Sequence, residues 1–158
     1  MIQRLKKSEE NVLYVRSIFV HPEIAPFVSS DGFDLENFPF EEALESPKHY
    51  FLCASVGDER AGLFFAHEWN SATAWCHVML LPRFRGRTGL RLGKEAIKWW
   101  FENTEYKKLV GTVPATNRQA LWYDYKLGFV EEGRIRRCFP RGGELHDEII
   151  VGLCKGGE

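Results

Sequence analysis

A loop rich in arginine and glycine, between an apolar run and a helical pattern, is the stretch of the chain best suited to chemistry. The apolar run at residues 78–81 (VMLL) has the length of a buried strand, and Pro82 ends it because proline cannot donate to a sheet. The loop at residues 83–89 (RFRGRTG) leads into a helix predicted to begin near Leu90. Free N–H groups at a helix start attract anions and glycine lets them approach, so the sequence predicts a phosphate-binding loop.

Two common phosphate-binding motifs do not fit this loop. A P-loop requires Gly-x-x-x-x-Gly-Lys-Ser/Thr, but the Gly-Lys pair at residues 93–94 is followed by Glu95, and Thr88 stands five positions before that glycine. The dinucleotide fingerprint Gly-x-Gly-x-x-Gly also fails, because two residues separate Gly86 from Gly89 and no third glycine has the right offset. The loop therefore belongs to another class of anion site.

A second segment, residues 117–129 (NRQALWYDYKLGF), combines an asparagine, an amphipathic helical pattern and Lys-Leu-Gly-Phe. Together, the two segments resemble the two signatures of the GNAT superfamily of acyl-CoA-dependent N-acetyltransferases. The first signature reads Arg-Gly-x-Gly-x-Gly/Ala after an apolar strand and a proline, and residues 85–87 (RGR) match its beginning. Thr88 and Leu90 stand where the family usually has small residues, so the chain departs from the family pattern at these two positions.

The resemblance implies a site for acetyl-CoA as co-substrate, with no metal. In the family, the strand before the loop contacts the pantetheine arm, the loop binds the pyrophosphate, and the asparagine contacts the CoA arm. The residues that would take these roles here are Met79, Leu80, Leu81, Arg83, Arg85, Gly86, Arg87, Thr88, Gly89, Leu90 and Asn117. Judged by its own residues, the loop also fits a solvated basic segment.

A proton donor for the departing thiolate is predicted on the second segment. Many family members carry a tyrosine seven residues after the asparagine, and Asp124 holds that position here, facing the same way as Asn117 after nearly two helical turns. An ionised aspartate would repel a thiolate, so Asp124 fits the role only if its pKa is raised. Tyr125 is the alternative donor, and a purely structural role for Tyr123 and Tyr125 stays open.

A proton acceptor for the amine is predicted on the central strand. His77 lies just before the residues expected to contact CoA, and an ordinary imidazole titrates near neutrality. Glu68 on the neighbouring strand is a second candidate, acting through a water, and a structural role for His77 is the alternative. The polar residues 146–148 (HDE) are further candidates for the acceptor site.

The pattern of the chain around these segments predicts one domain over residues 1–158. Strands are predicted at residues 2–5, 49–56, 60–69, 71–81, 107–113, 129–139 and 145–153, and helices from Ser8 toward Pro22, at 41–44, from Leu90, and from Asn117 to Gly128 with Thr116 as cap. We therefore expect an α/β (α+β) fold of GNAT type, with a mixed, mainly antiparallel sheet flanked by helices. The resemblance implies that the loop from Pro22 to Pro47 shapes the acceptor site.

The bulk properties exclude several classes of protein. With a net charge of −1, the chain lacks the basic character of a dedicated nucleic-acid binder. No apolar run is long enough to span a membrane, and the N-terminus has no signal-peptide pattern, so a cytoplasmic protein is expected. Four widely spaced cysteines, most of them within apolar runs, are typical of buried thiols in a cytosolic protein.

These observations predict an N-acetyltransferase that passes an acetyl group from acetyl-CoA directly to an amine acceptor. The motifs are most similar to those of small GNAT proteins encoded in bacteriophage genomes. The alternative is a GNAT-fold module that binds CoA or acyl-CoA without catalysis, and a third is a nucleic-acid-associated protein that uses the arginine clusters. The acceptor is left open between small amines and peptides, and a homodimer is an expectation because dimers are common in this fold.

Overall fold

A sheet of seven strands with helices on both faces forms the framework of the computed structural model, which describes residues 1–157. The strands are β1 (Ile2–Arg4), β2 (His49–Val56), β3 (Glu59–Glu68), β4 (Thr73–Leu80), β5 (Lys108–Pro114), β6 (Val130–Arg141) and β7 (Glu144–Cys154). The helices are α1 (Glu9–Phe19), α2 (Ala25–Val28), α3 (Phe40–Glu45), α4 (Arg87–Asn103) and α5 (Arg118–Leu127), with a 3₁₀ turn at Pro82–Phe84.

The strand order is β1-β2-β3-β4-β5-β7-β6, and every neighbouring pair is antiparallel except β4 and β5. The prediction of a mixed, mainly antiparallel sheet flanked by helices is therefore confirmed. The parallel pair joins two antiparallel halves, one built from β1 to β4 and the other from β5 to β7. The helix α4 makes the crossover between these halves, as a parallel connection requires.

The two halves of the sheet separate after a short contact between β4 and β5. Their register runs only from Thr73 opposite Lys108 to Trp75 opposite Val110. Beyond this point β4 follows β3 as far as Leu80, while β5 follows β7 as far as Pro114. Because each strand stays with its antiparallel partner, a gap opens between them, and this gap is where the cleft described below lies.

The sheet alternation sends neighbouring residues of β4 to opposite faces. Met79 packs with Val15, Ile18 and Leu63 in a core beneath α1 and α3. Leu80 faces the other way and packs with the buried side chains of the α4 face. Both faces of β4 are thus packed against hydrophobic core residues. This packing holds the strand in place where its edge toward β5 has no partner.

The helices α4 and α5 are held close together at Gly93. A Cβ atom at this position would lie 2.7 Å from Leu127 Cδ1 and would also collide with Tyr123 Oη, so any larger residue would displace these two side chains. One turn earlier, Tyr123 Oη donates a hydrogen bond of 3.0 Å to the carbonyl oxygen of Gly89. This close packing fixes the position of α5 relative to the start of α4.

The start of α4 differs from the prediction. The helix begins at Arg87, not near Leu90, so three residues that the sequence assigned to a loop form its first turn. Gly86 precedes the helix with a φ of 71° and a ψ of −135°, a conformation that favours glycine. This residue lets the chain pass from the 3₁₀ turn into the helix without further loop residues.

Other local predictions are also corrected. Asn117, not Thr116, caps α5, because its Oδ1 accepts a hydrogen bond of 3.2 Å from the backbone N–H of Ala120. The one-turn helix α2 lies in the segment predicted as loop, whereas the short helix expected at residues 41–44 is present as α3. Cys138 is exposed on β6, in contrast to the buried thiols expected for the cysteines as a group. Within residues 1–157, no helix has the length and apolar character needed to cross a membrane.

Candidate active site

A cleft of about 610 Å³ occupies the gap between β4 and β5 and passes from one face of the sheet to the other. The edges of the two strands form its sides, with residues 76–80 on one and 111–114 on the other. On one face it is bordered by residues 23, 24, 27 and 28 at α2, and on the opposite face by α5. A cleft of this size matches the usual volume of a small-molecule site.

The anion-binding end of this cleft lies at the start of α4. Gly86 and Arg85 line the cleft, and the first intrahelical bond runs from Leu90 N–H to the carbonyl oxygen of Gly86, at 3.0 Å. Within the described part of the chain, the N–H groups of residues 87–89 have no backbone partner. Free N–H groups and the helix dipole give this end of the cleft the character of a phosphate site.

The arginines near this loop are engaged in different ways. Arg85 Nε donates to the carbonyl oxygen of Leu80 at 3.2 Å, and its Nη2 donates to the carbonyl oxygen of Glu23 at 3.0 Å. Arg83 turns outward and pairs with Glu59 at 3.3 Å. Arg87 is exposed on the first turn of α4. Arg85 therefore ties the loop to both β4 and the segment before α2, whereas Arg83 points away from the cleft.

The structure brings some of the residues predicted to bind CoA together at the cleft. Met79, Leu80, Arg85, Gly86 and Asn117 all line the cleft. The other predicted residues lie outside its lining: Leu81, Arg83, Arg87, Thr88, Gly89 and Leu90. Among these, residues 87–89 still face the cleft end through the N-terminus of α4, and Gly89 is buried beneath Tyr123.

Asp124 lines the cleft from α5, as its spacing from Asn117 predicts. Burial raises the pKa of this carboxyl from 3.8 to about 7, because the ionised form loses hydration. Among the described residues, its carboxylate makes no ion pair that would stabilise the charge. The pKa of Asp124 is thus shifted in the direction that the role of proton donor would require.

His77 lies on β4 at the cleft, and its ring stacks on Phe65 with centroids 5.7 Å apart. The ring centroid of His67 lies 6.1 Å from that of His77, and the ring centroid of His49 lies 6.0 Å from that of His67. Burial, with a smaller contribution from His67, lowers the pKa of His77 from 6.5 to about 4. His77 is therefore neutral at physiological pH and can accept a proton, but it holds that proton weakly.

The alternative candidates lie elsewhere. Tyr125 is 44% exposed, and its hydroxyl donates to Glu131 at 3.4 Å on the outer side of α5. Glu68 accepts from Lys48 at 2.6 Å and from Tyr106 at 3.2 Å, outside the cleft lining. Of the candidate proton donors and acceptors, the structure brings only Asp124 and His77 to the cleft.

Other cleft residues were given no role in the cleft by the sequence. Cys76 lines the cleft beside Asp124, and burial, with a smaller contribution from that carboxylate, raises the pKa of its thiol. Tyr123 lines the cleft and also binds α4. The segment around α2 was expected to shape the acceptor site, but no periodic signal identified its individual residues. Within residues 1–157, no group of three or more His, Cys, Asp or Glu side chains is arranged to hold a metal ion.

No family model matches this chain. Among curated proteins, it is 25% identical over 121 residues to an uncharacterized N-acetyltransferase derived from the SPbeta prophage of Bacillus subtilis strain 168. The alignment covers 73% of this chain and 67% of that protein.

Solved structures with the same fold cover almost the whole chain. A spermidine N-acetyltransferase from Vibrio cholerae, in complex with CoA and spermine, superimposes with a TM-score of 0.83 at 15% identity, covering 99% of this chain and 96% of that one. A GNAT-family acetyltransferase from Bacillus anthracis gives a TM-score of 0.75 at 16% identity, with coverage of 97% and 94%. The resemblance inferred from the two sequence motifs is thereby confirmed, and the chain has the GNAT acetyltransferase fold.

Proposed function

We propose that this protein is an N-acetyltransferase that transfers the acetyl group of acetyl-CoA directly to an amine. One observation carries the proposal: a carboxyl that burial keeps partly protonated opens into the same cleft as a free helix N-terminus suited to pyrophosphate. The fold neighbour crystallised with CoA and spermine supports the choice of co-substrate and of an amine as acceptor.

The binding part of the proposal assigns the CoA site to the loop and strand at the cleft. The N–H groups of residues 87–89 would bind the pyrophosphate, with Arg87 supplying exposed charge. The open edge of β4 at Met79 and Leu80 offers backbone groups to the pantetheine arm and the thioester, because this edge has no partner strand after Trp75 in the described sheet.

The chemical part concerns two protons. The amine nitrogen attacks the thioester carbonyl carbon, the carbon–sulfur bond breaks, and the sulfur leaves as a thiolate that needs a proton. Asp124, with a pKa of about 7, would donate that proton, and neutral His77 would accept the proton lost by the amine. Since a pKa of about 4 makes His77 a weak base, we expect Asp124 to contribute more to the rate.

A transfer assay with Asp124→Asn tests this assignment. We expect kcat to fall about 10²- to 10⁴-fold, the usual contribution of a general acid, while the Kd for CoA stays unchanged. The wild-type kcat should also decline above pH 7 as Asp124 ionises, and the variant should lack this decline. Asp58→Asn, in the exposed β2–β3 turn, is the matched control. Full activity of the Asp124 variant would contradict the assignment.

A CoA-binding module without catalysis is the second candidate. Asp124 favours it, because it stands where the family usually has a tyrosine donor, and so does the altered start of α4. Thr88 and Leu90 occupy positions where small residues are usual, and both lie in the first turn of the helix. If this candidate is correct, CoA binds with an ordinary affinity, but no amine releases thiol from acetyl-CoA above the background rate.

A further inference from the structure

The wall of the cleft at α2 is apolar. Val28 contributes a partly exposed aliphatic side chain and Phe27 a ring that is 50% exposed, and both lie over the buried side chains of Ile24 and Met79. A ligand that covers an exposed phenylalanine ring gains binding free energy, because the apolar surface of the ring is removed from water. This wall therefore favours a ligand that presents an apolar group to Phe27.

The charged groups at the cleft are few and of mixed sign. Those lining it are Glu23, Arg85, Arg118 and Asp124. Asp124 is partly neutral near pH 7, and the guanidinium of Arg85 lies against the backbone of Glu23. The carboxylate of Glu23 forms no ion pair with the described residues, so one ammonium group can be paired at this wall. A polyamine carries several ammonium groups, for which the lining offers no matching set of carboxylates.

A bridge of hydrogen bonds crosses the cleft on the same face. Asp31 N–H donates to the carbonyl oxygen of Pro140 at 2.9 Å, and Gly143 N–H donates to Asp31 Oδ2 at 3.1 Å. Arg141 Nη1 donates to the carbonyl oxygen of Ser29 at 3.2 Å. The segment after α2 thus leaves the β4 side of the gap and binds the β6–β7 turn on the other side. None of the bridging residues lines the cleft itself, so the bridge acts by holding the α2 segment in place beside it.

We infer that the acceptor is a small monoamine whose amino group is carried on an apolar body, such as an arylalkylamine or a branched alkylamine. The inference rests on the proposed acetyltransferase function. The apolar body would lie against Phe27 and Val28. The ammonium group would pair with Glu23, lose one proton to solvent and attack the thioester as the free amine, and His77 would accept the second proton after the attack. The fold neighbour from Vibrio cholerae is named for spermidine, so this chain would share its fold but differ in acceptor.

The test compares phenethylamine, spermidine and a short peptide with a free N-terminus. Binding of each is measured by calorimetry to the full chain, with and without CoA, and transfer is followed by thiol release from acetyl-CoA. We expect phenethylamine to bind at least about tenfold more tightly than spermidine or the peptide, and to be acetylated with the highest kcat/KM. Tighter binding of spermidine or of the peptide overturns the inference, as does an absence of phenethylamine binding.

Two matched substitutions test whether a loss of amine affinity is specific to the apolar wall. Phe27→Ala should lower the affinity for phenethylamine about tenfold and leave the Kd for CoA unchanged. Phe33→Ala is the control, because Phe33 is 51% exposed on the same segment but does not line the cleft. Equal effects of the two substitutions overturn the inference. Failure of CoA binding, or of transfer to any amine, would instead refute the proposed function, because the amine-binding order is measured without catalysis.

Discussion

At the scale of residues, Asp124 and His77 show opposite responses to the same cause. Burial disfavours the charged form of each group, so it raises the pKa of the acid to about 7 and lowers the pKa of the imidazole to about 4. The spacing of Asp124 from Asn117 predicted which way the carboxyl faces. The pKa shift could not be predicted, because it depends on the side chains that α4 and β4 place around α5.

These two shifts predict opposite contributions to the pH dependence of stability. Between about pH 4 and 7 folded Asp124 keeps a proton that the unfolded chain has lost, so its contribution to stability falls as the pH rises. Between about pH 6.5 and 4 folded His77 lacks a proton that the unfolded chain holds, so its contribution falls as the pH falls. At about 1.4 kcal/mol per pKa unit, the contribution is at most about 4 kcal/mol for Asp124 and about 3 kcal/mol for His77.

Thermal unfolding of Asp124→Asn and His77→Asn from pH 4.5 to 8 measures both contributions. Relative to wild type, the Tm of the Asp124 variant should rise with pH, and the Tm of the His77 variant should rise as the pH falls. A constant offset from wild type across this range, for either variant, would mean that the residue keeps an ordinary pKa.

At the scale of elements, the contact between α4 and α5 positions Asp124 at the cleft. Alanine in place of glycine inside an open helix usually adds about 1 kcal/mol of stability. At Gly93 the new Cβ would meet Leu127 and Tyr123, so we expect Gly93→Ala to destabilise the protein by about 1–3 kcal/mol and to lower kcat by displacing α5.

Denaturant unfolding and the transfer assay check this prediction together. The double variant Gly93→Ala with Tyr123→Phe removes the hydroxyl that the new methyl group meets, and it should recover part of the stability. A single Gly93→Ala variant more stable than wild type would show that the two helices can separate at no cost.

The elements were predicted more reliably than their junctions. The strand at β2 was predicted with its observed bounds, because its β-forming residues end in a clear turn signal. The start of α4 was misplaced by three residues, since nothing local reveals that Gly86 turns the chain directly into the helix. The separation of β4 from β5 depends on pairing between distant strands and has no signal in either strand alone.

At the scale of the whole molecule, the bridge between the α2 segment and the β6–β7 turn joins the two halves of the sheet across the cleft. Its partners are 109 or 112 residues apart in sequence, so no local pattern predicts it. Asp31→Ala removes the acceptor for Gly143 N–H, and we expect a loss of stability of about 1 kcal/mol.

The same substitution should loosen the α2 wall of the cleft, which the bridge holds in place. The ratio of kcat/KM for a bulky amine to that for a small amine should increase, because a loosened wall can move to admit a larger group. Asp34→Ala is a control within the same segment, since Asp34 accepts hydrogen bonds only from its neighbours Glu36 and Asn37. An unchanged ratio in the Asp31 variant would show that the bridge does not restrict access.

The measurement that tests the central claim most directly is thermal unfolding with acetyl-CoA, CoA and ATP at equal concentrations. A ligand at a hundred times its Kd adds about 2.7 kcal/mol, which shifts the Tm of a domain this size by several degrees. We predict a shift with both CoA species and none with ATP. Gly86→Trp should abolish the shift, and Gly142→Trp should retain it, because both glycines are open and have positive φ but only Gly86 lines the cleft. No shift with either CoA species, or equal shifts in the two variants, would contradict the account.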